Sequence, residues 1–278
     1  MKTKPTTTGL VMSEADYSAI DALRSSEVKT AARSTLAHLA HSRTKTQEDT
    51  DAFLVGRALH CAVLRPDDFA SEFVTAPKCD RRTKEGKAQY EAILAAAGSR
   101  GVLDEVSSRM NEGMLTSIRA HQSAEAALDM CEIRERVYLG EIGGIAAKCR
   151  VDALAHDGSL LVDVKTAMSA SPRSFARSCV DYGYALQFAF YRSILRQNGY
   201  SVDDCMIVAV EKTSPYLVAC YRLPDEVLTR ADEVVERTAS RIAEATRTGV
   251  WTGYSDGVIS LDLPPWAFSD SQEVTDEN

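Results

Sequence analysis

At 278 residues, 45% hydrophobic and 26% charged, the chain has an ordinary globular composition, enough for one large domain or two small ones. Its net charge of −8, from 32 basic and 40 acidic residues, argues against a surface that coats polyanions non-specifically, although a local positive groove remains compatible with it. The seven cysteines are scattered without a C-x-x-C pair, which excludes a disulfide framework and structural zinc. No apolar run reaches ~18 residues, and MKTKPTTTG lacks the apolar centre of a signal peptide, so the cytosol is the expected location.

Residues 1–25 carry Thr, Ser and Lys without clear period and read as a loosely held segment. EVKTAARSTLAHLAHS reads as a helix with Val28, Ala32, Leu36 and Leu39 on one face, and with His38 and His41 solvated in its last turn. A second helix, TDAFLVGRALHCAVL, stops at Arg65-Pro66 and carries His60. The run KCDRRTKEGK (78–87) is the densest basic stretch, with Arg81, Arg82, Lys84 and Lys87; it is a solvated loop or a grip on a phosphate backbone. Residues 88–130 have helical period and read as two helices broken at Gly98-Ser99-Arg100-Gly101.

Strands follow. EIRERVYL and IAAKCRVDAL are separated by GEIGG; a two-residue Gly143-Gly144 turn makes facing residue numbers sum to 287, setting Glu135 opposite Asp152. A longer loop would substitute Glu132 or Glu141. In KCRVDALAHDGSLLVDVKT, Asp157-Gly158 signals a two-residue type I′ hairpin, so facing numbers sum to 315 and Asp152 lies opposite Asp163, Cβ atoms ~5 Å apart. Facing carboxylates destabilise a bare sheet, and a divalent cation removes the repulsion. Lys165 shares a strand face with Asp163, while Leu160, Val162 and Val164 point into a core. The bland alternative is a surface hairpin with solvated charges.

Ser171-Pro172 then starts a helix carrying Arg173 and Arg177, which yields near Gly183 to YALQFAFYRSILRQNG. In that helix Gln187 and Tyr191 share a face. DDCMIVAVEK and PYLVACYRL are strands, and a long helix of alternating charge runs from Pro224 to about Thr248. These elements predict an α/β fold: one domain over 26–266, a central mixed sheet flanked by helices, a helical N-terminal portion, and a disordered acidic tail at 267–278.

Five ordered pieces carry a family resemblance: Tyr17 followed by S-S-E-V-K, G-R-A-L-H with L-R-P-D-D-F, C-R-V-D, D-V-K-T, and Q-F-A-F-Y. Over residues 12–250 the chain resembles RecE-type exonucleases (exodeoxyribonuclease VIII-like), a branch of the PD-(D/E)XK superfamily, and corresponds to their catalytic portion only. The resemblance implies metal ligands at His60, Asp152 and Asp163 together with the Val164 carbonyl, a catalytic lysine at Lys165, and helical partners Gln187 and Tyr191. It implies Mg²⁺ or Mn²⁺, 5′→3′ degradation of one strand of linear double-stranded DNA, a ring-shaped homotetramer, and a single-strand annealing partner in phage-type recombination inside a bacterial cytoplasm. Arg81, Arg82, Lys84, Lys87, Arg173 and Arg177 are the expected strand contacts. Competing readings are an endonuclease on structured or damaged DNA and a catalytically silent DNA-binding or assembly protein of the same fold.

Overall fold

The computed structural model describes residues 9–45, 50–80 and 82–264, so the expected tail at 267–278 and Arg81 lie outside the described residues. From the N-terminus come α1 (Glu14–Ala19), α2 (Ser25–Arg33), α3 (Leu36–Arg43), α4 (Asp51–Leu64), α5 (Phe69–Glu72), β1 (Phe73–Thr75), α6 (Lys84–Ala97), β2 (Gly101–Leu103), α7 (Glu105–Ala120) and α8 (Gln122–Met130). The second half holds β3 (Ile133–Ile142), β4 (Ile145–Leu154), β5 (Leu160–Ala167), α9 (Pro172–Tyr182), α10 (Tyr184–Gln197), β6 (Asp204–Glu211), β7 (Val218–Arg222) and α11 (Asp225–Thr248).

The central sheet runs β3-β4-β5-β6-β7. All its pairings are antiparallel except β5–β6, which is parallel and joined through α9 and α10, as parallel neighbours need a long crossover. The mixed α/β architecture expected from the alternation of apolar runs is therefore the one observed. One core under the sheet joins α4, α7 and α8 to Val162, Val164, Val208 and Val210. The other joins α2, α3, α10 and α11 to Leu161, Ile207 and Ala209. Alternate residues of β5 and β6 thus feed opposite cores, the period-2 rule of a sheet covered on both faces. On α11, Leu228, Ala231, Val235, Ala239, Ile242 and Ala245 recur at three- or four-residue spacing and are buried, leaving its charges outside. Among the described residues no helix is long and apolar enough to cross a membrane.

Both hairpins keep the expected register. β3 pairs β4 from Ile142↔Ile145 to Ile133↔Leu154 around Gly143-Gly144. Those glycines sit at φ +59° and +79°, and a Cβ on Gly143 would stand 2.3 Å from the Ser240 nitrogen. β4 pairs β5 at Ala153↔Val162 and Leu154↔Leu161. Its loop, however, spans four residues rather than two: Ala155 N–H donates to the Leu160 carbonyl at 2.9 Å, and Gly158 N–H to the Ala155 carbonyl at 2.9 Å. Of the central pair only Gly158 has positive φ, whereas type I′ needs both. The longer loop is symmetric about the same centre, so the register survives.

Three further expectations are corrected. The helix over 26–42 is two helices, because Thr35 leaves the helical region and its hydroxyl caps His38 N–H at 3.2 Å. His38 and His41 are exposed as expected, with the His38 Nδ1 2.7 Å from the same hydroxyl. Between residues 84 and 130 there are three helices and the short strand β2, which pairs in parallel with β1 in a separate two-stranded sheet. Residues 9–25 are tied to the sheet and not loosely held: Leu10 bridges Val137, Leu23 bridges Ala147 and is 2% exposed. Buried Lys148 donates to the Tyr17 carbonyl at 2.6 Å and to that of Ile20, satisfying its ammonium through contacts more than a hundred residues distant.

Candidate metal centre

The sheet loses its regularity at one place. The β3–β4 ladder omits Glu135 and Asp152, which face each other in register, and the β4–β5 ladder ends at Ala153. Glu135 is at φ +50°, a left-handed conformation that side chains other than glycine adopt rarely and at a cost. Across this point the alternation inverts on both strands. Ile133 and Tyr138 feed one core although five residues apart, as do Leu154 and Val151, three apart. Such inversion is the signature of an irregular residue inserted in a ladder. Beyond it β4 and β5 part, and the Asp152 carboxylate takes over the missing ladder bond by accepting from Val164 N–H at 2.9 Å.

His60 reaches this gap from α4, with Nε2 2.8 Å from the Val164 carbonyl and Nδ1 3.6 Å from Asp152 Oδ2. A carbonyl only accepts, so Nε2 carries a proton, and Nδ1 is the nitrogen that faces the carboxylate. One ligand atom each from His60, Glu135 and Asp152 lies within 4.8 Å of the other two. Burial, and then the Asp152 charge, push the Glu135 carboxyl above the usual carboxylate range. Two carboxylates and an imidazole nitrogen brought together form an oxygen-rich donor set with no thiolate, which fits a hard divalent ion.

Asp163, 2% exposed, is not one of that trio. Gln187 Nε2, from α10 in the opposite layer, donates to its Oδ1 at 2.6 Å, and Lys165 Nζ stands 2.5 Å from its Oδ2. Burial raises the Asp163 carboxyl, with the Asp152 charge adding to it and Lys165 opposing it. On Lys165 burial pulls the ammonium down, but the Asp163 and Asp152 charges overcome it and hold it above the usual lysine value. Lys165 is therefore a cation at neutral pH. Tyr191 receives Gln187 Nε2 at 3.4 Å, and burial keeps its phenol protonated.

The structure thus gathers His60, Asp152, Asp163, Lys165, Gln187 and Tyr191 around one break in the sheet. It also decides between the three glutamates: Glu132 and Glu141 are exposed, and Glu135 is the one at the site. Two features bear on the expected ligand set. Glu135, the possible third carboxylate, lies beside Asp152 and His60, and Asp163 is engaged by Lys165 and Gln187. The Val164 carbonyl faces His60. Arg173 and Arg177 are exposed on α9, just beyond the C-terminal end of β5. Lys84 and Lys87 begin α6, which packs on β2 in the small sheet; Arg82 pairs with Asp80 at 3.0 Å.

Lys29 went unassigned from sequence. Its Nζ donates to Gln187 Oε1 at 3.3 Å across 158 residues of chain. Burial, and then the Lys165 charge, lower its ammonium to about 8. Tyr184 joins too, its ring 5.3 Å from Lys165 Nζ. Lys29 stands in the S-S-E-V-K piece, whose only local signal was a polar residue on an amphipathic helix.

Residues 20–263 match the family described as a PDDEXK-like domain of unknown function (DUF3799). A crystal structure of a Eubacterium rectale protein provisionally named an exonuclease superposes with a TM-score of 0.64 at 17% identity, covering 95% of this chain and 100% of that one. A phage-related exonuclease from Haemophilus somnus 129PT matches at a TM-score of 0.30 and 10% identity, over 78% of this chain and 95% of that one. The first likeness shows the fold; the second is too slight to carry any argument. No curated protein matches the sequence.

Proposed function

Because the chain belongs to the PDDEXK-like family of domains, we propose that it is a divalent-metal-dependent deoxyribonuclease, a 5′→3′ exonuclease on linear double-stranded DNA. The observation that carries this reading is the trio His60, Glu135 and Asp152 within 4.8 Å, set against the Lys165–Asp163 pair at 2.5 Å in the same gap. A silent binding module has no use for a strained glutamate turned toward a second carboxylate. His60, Glu135 and Asp152 would hold the ion, with Asp163 beside them as a further carboxylate. Mg²⁺ suits the carboxylates, and Mn²⁺ tolerates the imidazole better. Bound there, a divalent ion supplies charge neutralisation at the scissile phosphate and acidifies the attacking water.

The other roles follow from the chain. Lys165, whose ammonium the Asp163 and Asp152 charges favour, stabilises negative charge developing on the phosphate. Lys29, whose ammonium burial and the Lys165 charge lower to about 8, is held more firmly in its charged form when a phosphate enters beside it. Gln187 bridges Lys29 and Asp163 and so holds both cations and carboxylate in one geometry. Arg173 and Arg177 at the strand end suit contact with the backbone of the bound duplex. Exonuclease rather than endonuclease action is supported by the name given to the Eubacterium rectale neighbour and by the RecE-type resemblance. The same resemblance supports a role in phage-type recombination beside a single-strand annealing protein. The test is to offer linear and covalently closed circular duplex of one sequence with Mg²⁺. Loss of the linear form alone supports an exonuclease, whereas nicking or linearisation of the circle assigns an endonuclease.

A further inference from the structure

A series of aromatic rings leads out of the carboxylate gap. Lys165 Nζ stands 5.3 Å from the Tyr184 ring. Tyr184 is buried at the start of α10, where its ring meets Phe175 at 5.9 Å and Tyr182 at 5.8 Å, the latter stacked at 22°. Tyr182 ends the series and is 62% exposed.

Local sequence explains why the last ring is open. Phe175 and Tyr182 are two helical turns apart and therefore share a face of α9. Phe175 is covered by Tyr184 and by Tyr221, which stacks on it at 4.9 Å. At Tyr182 α9 ends, and Gly183 at φ +62° turns the chain into α10. A side chain at Gly183 would be strained by that φ and would press on Lys29, since a Cβ would stand 3.1 Å from its Cγ and Cδ. The joint is thereby seated on the residue whose Nζ reaches Gln187. Tyr182 is left with Tyr184 packed against it and most of its surface in water.

In a chain of net charge −8, three cations lie at this joint. Lys29 packs against Gly183, Lys165 against Tyr184, and Arg33 Nη2 is 3.9 Å from the Asp181 carboxylate, whose charge it offsets. An open ring fixed from behind, beside cations, has the two features that hold an unpaired strand. Every base offers a π-face to an aromatic side chain, and its phosphates need a positive track.

We propose that Tyr182 is a stacking platform for an unpaired base of the strand being degraded, placed so that the adjoining phosphate reaches Lys29 and Lys165. The proposal rests on the nuclease reading above and adds the form of the substrate. The reacting strand comes to the gap single-stranded, its base taken up by Tyr182 in place of its complement. Stacking accepts any base, so the platform sets no sequence preference.

Binding of a fluorescent thymidine oligonucleotide, read by anisotropy in chelator at low salt, tests this without any cleavage. Tyr182→Ala should weaken binding about tenfold or more, and Tyr182→Phe should keep it. An oligonucleotide of equal length and charge with abasic sugars should bind the unaltered chain and Tyr182→Ala alike, because it has no base to stack. Tyr182 is exposed, so the melting temperature of both variants should be unchanged. Equal affinity of Tyr182→Ala and the unaltered chain for the thymidine oligonucleotide overturns the proposal. So does an equal loss on the abasic one, or an unaltered chain that binds neither. The nuclease reading fails separately. A chain that shows the whole pattern yet releases no nucleotide with Mg²⁺ retains the platform alone. A chain that degrades linear duplex but binds equally well as Tyr182→Ala retains the nuclease reading alone.

Discussion

Replacing Lys29 with methionine should make the DNA-free protein more stable while impairing it as an enzyme. In the folded chain burial, and then Lys165, bring the Lys29 ammonium from 10.5 to about 8. The fall corresponds to ~3 kcal/mol at 1.36 kcal/mol per pH unit, an upper figure for the cost of keeping that charge. Between those two values the unfolded chain binds the proton and the folded chain does not, so stability rises with pH through the window. Below about pH 8 the full penalty is present. Methionine keeps most of the length, removes the charge, and gives up the 3.3 Å hydrogen bond to Gln187, worth about 1 kcal/mol. At pH 7, in chelator, Lys29→Met should therefore resist urea better by about 2 kcal/mol, and near pH 10.5 it should be slightly the weaker. Urea titrations of both proteins at the two pH values measure this. An unchanged difference between them would show that Lys29 is not a buried cation held at a cost, and the account of its function would go with it.

Glu135→Gln should behave in a related way. Its carboxyl is raised by burial and by Asp152, so the cost of ionising it is absent in acid and present at neutral pH. The glutamine variant should gain thermal stability at pH 7 but not at pH 4, and calorimetry should show Mn²⁺ affinity reduced tenfold or more. Lys165→Ala should retain DNA binding in a mobility-shift assay and lose on the order of 10²–10⁴ in turnover, near-normal cleavage being the contrary result. His60→Ala should weaken Mn²⁺ binding more than Mg²⁺ binding in the same titration; lost melting temperature with metal affinity intact would make the histidine a packing residue.

Turn chemistry explains why so much of the site could be read from the chain. Gly143-Gly144 and Asp157-Gly158 fix where each hairpin reverses, and the reversal fixes which residues face each other. Glu135, Asp152 and Asp163 were thereby aligned across three strands without any tertiary information. What the pattern could not show was the break at that row. Glu135 departs to φ +50° and Asp152 replaces a ladder bond with its side chain, consequences of β4 and β5 parting around His60 and Gln187 from opposite layers. Beside that parting Glu135 comes within 4.8 Å of His60 and Asp152. Lys29 and the 9–25 segment escaped for one reason. Their contacts, to Gln187 and from Lys148, cross more than a hundred residues and leave no local period.

The central claim is hydrolysis of DNA at the carboxylate gap by means of a divalent ion. Acid-soluble nucleotide released from a linear duplex, measured for the unaltered chain and for Asp152→Asn with Mg²⁺ or with chelator, tests it most directly. The account predicts release by the unaltered chain with Mg²⁺, none in chelator, and none from Asp152→Asn in either. Release that persists in chelator, or in the Asp152→Asn variant, would contradict it.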